Sequence, residues 1–222
     1  MSEPLRKRVI SDSVEVAVEL QKLGLTEDIL LNAVRAGAFA RANAISPNYP
    51  KCYGGLSDWA VIVKTLRDDL LGRGWSRDDR NKLEGTINSA GNVVILIETG
   101  DEKTGDKLAD PGPSTKYQKG DGIEDVIASN FLLDFGDPER QRQNDKIKAG
   151  EGLSYTWFLL HARIGDEIRC ELSRPLSISG GFVDQWSERI ILKPIPPESS
   201  ILTIPDENPV NPDVDVRRRE SK

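Results

Sequence analysis

The segment Glu98-Thr99-Gly100-Asp101-Glu102-Lys103-Thr104-Gly105-Asp106 concentrates groups able to do chemistry, and the tripeptide Thr-Gly-Asp occurs in it twice, five residues apart. The carboxylates of Glu98, Asp101 and Asp106 are hard oxygen donors of the kind that hold a divalent cation. The glycines allow close backbone approach, and successive N–H groups in such a loop form an anion-binding nest. The residues singled out as a ligand site are therefore Glu98, Thr99, Gly100, Asp101, Thr104, Gly105 and Asp106, with Glu98, Asp101 and Asp106 as the metal candidates. Downstream, Ser114, Thr115, Lys116, Tyr117 and Lys119 add polar groups before Gly122. The competing reading is a plain polar turn, since Gly, Asp and Thr are ordinary turn residues. No Walker pattern, G-x-G-x-x-G or EF-hand spacing is present.

Asp101-Glu102-Lys103 is also an acid-x-Lys triplet, with Asp78 or Asp79 upstream as a second carboxylate. Metal-dependent phosphodiester cleavage uses acidic oxygens to hold the ion and a lysine to polarise water or phosphate. In the restriction-endonuclease-like pattern the acid and lysine lie on a strand, whereas this triplet follows Thr99-Gly100 and reads as loop.

His161 is the only histidine. A two-residue turn at Gly165-Asp166 pairs Ile164 with Glu167, Arg163 with Ile168 and Ala162 with Arg169, which places His161 opposite Cys170. A Cys–His pair can activate a thiolate or supply two zinc ligands. Leu159, Ile168 and Leu172 share that face, so a buried structural cysteine is the default expectation. Serine-triad hydrolysis would need the same histidine, and no G-x-S-x-G elbow is present. Trp59, Trp75, Trp157 and Trp186 are dispersed rather than interleaved with basic residues, which favours core or interface anchoring over base stacking.

The elements that must position these groups are legible from periodicity. Ser13 to Leu23 reads as a helix stopped by Gly24. Thr26 is the expected N-cap of a second helix, whose small face of Ala33, Ala36, Gly37, Ala40 and Ala44 invites close helix packing before Pro47 and Pro50. A third helix is expected from a Ser57 cap, with Trp59, Ile62, Val63, Leu66 and Leu70 on one face, ending at Gly72 and Gly74. Val93 to Ile97 is a continuous apolar run expected to be buried on both faces, paired with Leu83 to Asn88 across Ser89-Ala90-Gly91. Tyr155 to Ile164 and Glu167 to Arg174 form a hairpin ended by Pro175, followed by a Gly180-Gly181 turn and a last strand at Arg189 to Leu192. The expected fold is α+β: N-terminal helices on a mainly antiparallel sheet of about five strands. Residues 1–10 are expected to be a flexible N-terminus and 11–195 a single domain, helical over about 11–75 and sheet-forming over about 80–195. The charged stretch 136–152 and the Pro-rich acidic tail 196–222 have the composition of mobile segments.

With 36 acidic and 30 basic residues the formal net charge is −6, the wrong sign for a generic nucleic-acid binder. Two cysteines, Cys52 and Cys170, are too few for a disulfide framework, and no apolar run has the length of a signal peptide core or membrane span. The expected setting is cytoplasmic and soluble, without a membrane. The function expected is a non-catalytic binding or interaction protein, an accessory component of a bacterial-type cytoplasmic multiprotein system, with a protein partner and no cofactor. The alternative is a metal-dependent hydrolase, with nuclease as one form, that uses a divalent cation at the Glu98–Asp106 loop.

Overall fold

The computed structural model describes residues 7–135 and 154–196. In chain order the elements are β1 (Arg8–Ile10), α1 (Ser13–Lys22), α2 (Glu27–Asn43), α3 (Tyr53–Leu71), β2 (Ser76–Asp78), a short 3-10 turn (Arg80–Lys82), β3 (Gly85–Ile87), β4 (Val93–Thr99), α4 (Asp121–Phe135), β5 (Tyr155–Ile164), β6 (Glu167–Ser179) and β7 (Phe182–Ile191). The expected mobile stretch 136–152, and all but the first residue of the expected tail 196–222, lie outside the described residues.

Local chemistry sets the helix starts. The Asp12 carboxylate accepts from the Val14 and Glu15 amides and caps α1, and the Thr26 hydroxyl accepts from the Ile29 amide to cap α2. Each satisfies backbone donors that the first helical turn leaves unpaired. The third helix begins at Tyr53, a turn before the expected Ser57 cap, and Cys52 makes no side-chain cap. Two glycines, Gly54 and Gly55, lie inside that first turn; their low propensity points away from helix, and packing against α2 overrides it. A Cβ at Gly37 would lie 2.4 Å from Ile62 Cγ1 and 2.7 Å from the Asp58 carbonyl oxygen, so only glycine lets α2 lie this close to α3. That approach is the one the small face of α2 predicts.

The sheet has seven strands in the order β1-β7-β6-β5-β4-β3-β2. The expectation of about five mainly antiparallel strands is roughly matched: four of the six neighbouring pairs are antiparallel, but there are seven strands and the sheet is mixed, because β1 runs parallel to β7 and β4 parallel to β5. The parallel step from β4 to β5 passes through α4, a crossover helix that the strand-rich reading of the second half left out. The extra strands, β1 and β2, are edges of three residues each with charged side chains, too short and polar to carry a periodic signal. Arg8–Ile10 had been assigned to a flexible N-terminus; Ile10 is buried and its backbone pairs with Ile190. Pro175 does not end its strand. It sits at register shifts between β6 and β7, the kind of irregularity that tolerates a missing N–H. The final strand starts at Phe182 rather than Arg189.

Both faces of the sheet are covered, which accounts for the uninterrupted apolar run of β4. Val93, Ile95 and Ile97 pack with α1, α2 and α3 through Leu20, Leu30, Ile62 and Leu66. Val94 and Leu96 face the other way, with Phe158, Leu160, Trp186 and the α4 residues Ile123 and Ile127. Each such fully buried side chain contributes on the order of 1.5–3 kcal/mol. No helix among the described residues is long and apolar enough to cross a membrane.

Candidate functional site

The loop that follows β4 is fastened to the sheet by its own backbone. The Gly100 amide donates to the His161 carbonyl, Asp101 N–H donates to the Ser114 carbonyl, and Lys116 N–H donates to the Thr99 carbonyl. Thr115 exchanges backbone and side-chain bonds with Val183, and the Trp186 indole donates to the Pro113 carbonyl at 2.7 Å. Beneath the second Thr-Gly-Asp lies a buried ion pair. Glu171 is fully buried and Arg189 nearly so, 2.6 Å apart at their closest oxygen and nitrogen. Glu171 Oε2 also accepts the Gly105 amide at 2.8 Å, and Arg189 Nη2 donates to the Asp106 carbonyl at 3.0 Å. Gly105 has φ +73°, and a Cβ there would sit 2.7 Å from Arg169 Cβ. The anion that this glycine amide serves is thus the protein's own Glu171.

The three carboxylates named as metal candidates are engaged separately. Glu98 pairs with Lys119. Asp101 accepts the Lys103 and Ser114 amides through its two oxygens, and Asp106 accepts the Leu108 amide. Among the described residues no group of three or more His, Cys, Asp or Glu side chains is placed to hold a metal ion. Burial pushes the Glu98 carboxyl above its ordinary range, against the opposing pull of Lys119 and a smaller one from His161. The acid-x-Lys triplet is a turn outside the strand, as its residues imply. Asp78 is bound to Arg80 and Asp79 to Arg67, and Asp78 lines a different cavity from Asp101.

The hairpin register is the expected one, with His161 opposite Cys170. Cys170 lies in the helix-side core and burial raises its thiol well above the ordinary value. Its neighbour acts elsewhere. His161 is buried, with Nε2 3.4 Å from Asp58 Oδ2 on α3, and Arg41 Nη1 on α2 lies 3.7 Å from the same oxygen. The Gly37 contact produces this arrangement: it seats α3 against α2 at Asp58, and Arg41 follows one turn later on the same helix face. His161 Nδ1 is buried without a hydrogen-bond partner among the described residues.

These groups line one open cleft of about 490 Å³ between the α2–α3 pair, the ends of β4 and β5, and the loop. That volume falls in the range of small-ligand pockets. Thr99, Gly100 and Asp101 of the predicted site line it; Glu98, Thr104, Gly105 and Asp106 do not. Thr104 is fully buried, its hydroxyl unpartnered among the described residues, and packs on Gly100. The cleft also has apolar lining at Ile164, Ile168 and Phe182. Arg41 and Asp58 were not anticipated; the only sequence signal was the small face of α2, which announces a close helix partner without naming it.

The end of α2, the α2–α3 connection and the start of α3 carry exposed apolar side chains. Phe39, Ile45, Tyr49 and Leu56 are 45%, 85%, 46% and 56% exposed. Tyr49 stacks on Tyr53 with ring centroids 4.1 Å apart, and Leu56 follows one turn after Tyr53 on α3. Would-be Cβ positions at Gly54 and Gly55 lie 3.7 and 3.9 Å from the Arg41 side chain, so the first turn of α3 packs beside this cleft residue. No family model matches the chain, and no curated protein or solved structure matches it either.

Proposed function

We propose that this is a non-catalytic binding protein, an accessory component of a bacterial-type cytoplasmic multiprotein system, that holds a protein partner at the tip of the α2–α3 pair and in the cleft beside it. The observation that carries the reading is the set of exposed aromatic and aliphatic side chains Phe39, Ile45, Tyr49 and Leu56 along the end of α2, the connection and the start of α3, together with an open cleft lined by Arg41 of the same α2. Aromatic and aliphatic side chains left in water beside a concave surface are the usual anchors of a protein interface. The free cysteine pair, one exposed and one buried, is compatible with a reducing compartment. The hydrolase alternative requires Glu98, Asp101 and Asp106 on one ion, and their separate partners favour the binding reading over it.

The test is photo-crosslinking in the native cell from a benzoylphenylalanine placed at Leu56, compared with the same probe at Val14, an exposed α1 residue. A discrete protein adduct from position 56 that is absent from position 14 and lost on Phe39→Asp supports the reading. Identical adduct patterns from both positions, or none from position 56, overturn it.

A further inference from the structure

The cleft has a preference of charge that follows from which of its groups are already satisfied. Asp101 spends both oxygens on backbone amides, and Asp58 lies between Arg41 and His161. Glu98, behind the sheet on the α4 side, is held by Lys119. Glu102, the remaining carboxylate of the lining, is exposed to water. Of the cations in the lining, Arg41 and Lys116 keep unused donors, while Arg163 is already engaged. Among the described residues Arg41 meets only Asp58, at 3.7 Å, and the Lys116 ammonium meets only the Tyr117 ring, 5.9 Å from its centroid. Arg41 comes from α2 and Lys116 from the loop, and buried His161 lines the cleft with them. Ile164, Ile168 and Phe182 add apolar lining.

Resting on the partner-binding reading above, we propose that this cleft is the anchor for a carboxylate of the protein partner, carried next to a large apolar side chain. Arg41 and Lys116 donate to the carboxylate, and the apolar side chain lies on Ile164 and Phe182. A planar guanidinium suits a carboxylate better than a point charge does, because it offers two parallel N–H groups.

The chain's single histidine makes the test direct, since its imidazole gives one set of NMR resonances, all from the cleft lining. N-acetyl-phenylalanine, which carries a carboxylate beside an aromatic side chain, and its neutral amide are titrated into the full-length protein. The acid is expected to shift the His161 resonances saturably while the amide leaves them in place. Arg41→Gln, at an exposed position, is expected to weaken the acid about tenfold, the equivalent of one charge-assisted hydrogen bond. Equal shifts from acid and amide, no shift from either, or unchanged affinity in Arg41→Gln overturns the carboxylate anchor. A partner crosslinked at position 56 together with any of those results removes the anchor and leaves the partner reading intact. Acid binding without a crosslinked partner fails the partner reading and supports the anchor's chemistry.

Discussion

Replacing Glu171 by Gln tests whether the loop is held from beneath. The carboxylate receives the Gly105 amide, the Ser173 hydroxyl and two N–H groups of Arg189, at 2.6 to 3.0 Å. An amide of the same shape has one oxygen and one NH₂. Placed at Oε2, the NH₂ faces two donors; placed at Oε1, it faces the Arg189 Nε–H and only the hydroxyl can accept from it. In both orientations Arg189, 4% exposed, becomes a buried charge without a counter-ion. Breaking a buried pair from one side costs roughly 3–5 kcal/mol, a large share of a stability of about 5–15 kcal/mol. Urea unfolding of Glu171→Gln is expected to show a midpoint lowered by that free energy divided by the slope, with the slope unchanged. Arg189→Met alone strands Glu171 and is costly too. The double variant is expected to cost clearly less than the sum, since neither charge is then left unpaired. A Glu171→Gln cost below about 1 kcal/mol, the typical net worth of one neutral hydrogen bond, or strict additivity with Arg189→Met, would refute the reasoning.

Three further outcomes are expected. A thiol reagent should label Cys52 and leave Cys170 unlabelled until the protein is unfolded, because Cys52 is exposed while Cys170 is fully buried with its thiol pushed up; rapid labelling of both in the folded protein would contradict this. Glu98 has a folded pKa raised above its ordinary 4.5. The stability it contributes is therefore full below 4.5 and lost as pH rises through the elevated folded value, so Glu98→Gln should flatten the fall of stability over that window, and parallel curves would show no such shift. Mg²⁺, Mn²⁺ or Ca²⁺ should leave the melting temperature unchanged, and a rise abolished by Asp101→Asn would restore the hydrolase alternative.

The helices, the hairpin register and the double-sided burial of β4 were legible because each is written in short-range pattern. Asp12 and Thr26 cap where their side chains dictate, and a two-residue turn fixes His161 against Cys170 without any tertiary information. The second Thr-Gly-Asp was legible as unusual but not as structural, since its partners Glu171 and Arg189 come from strands far along the chain. The cleft was hidden for the same reason: Asp58 reads locally as one more polar residue of α3, and only the glycine contact with α2 turns it toward His161. Helix α4 carries Ile123 and Ile127 at helical spacing, but Gly120 and Gly122 at its start weaken the local helical signal.

Hydrogen exchange of the crosslink-identified partner complex tests the central claim most directly, because it maps the interface without assuming it. Binding should slow exchange in residues 39–58 and in the loop around 99–116, the segments that supply Arg41 and Lys116 to the cleft. Exchange should be unchanged on β1 and α1, where Val9, Val14 and Val18 are also exposed. Protection confined to β1 and α1, with 39–58 exchanging as in the free protein, would contradict the account.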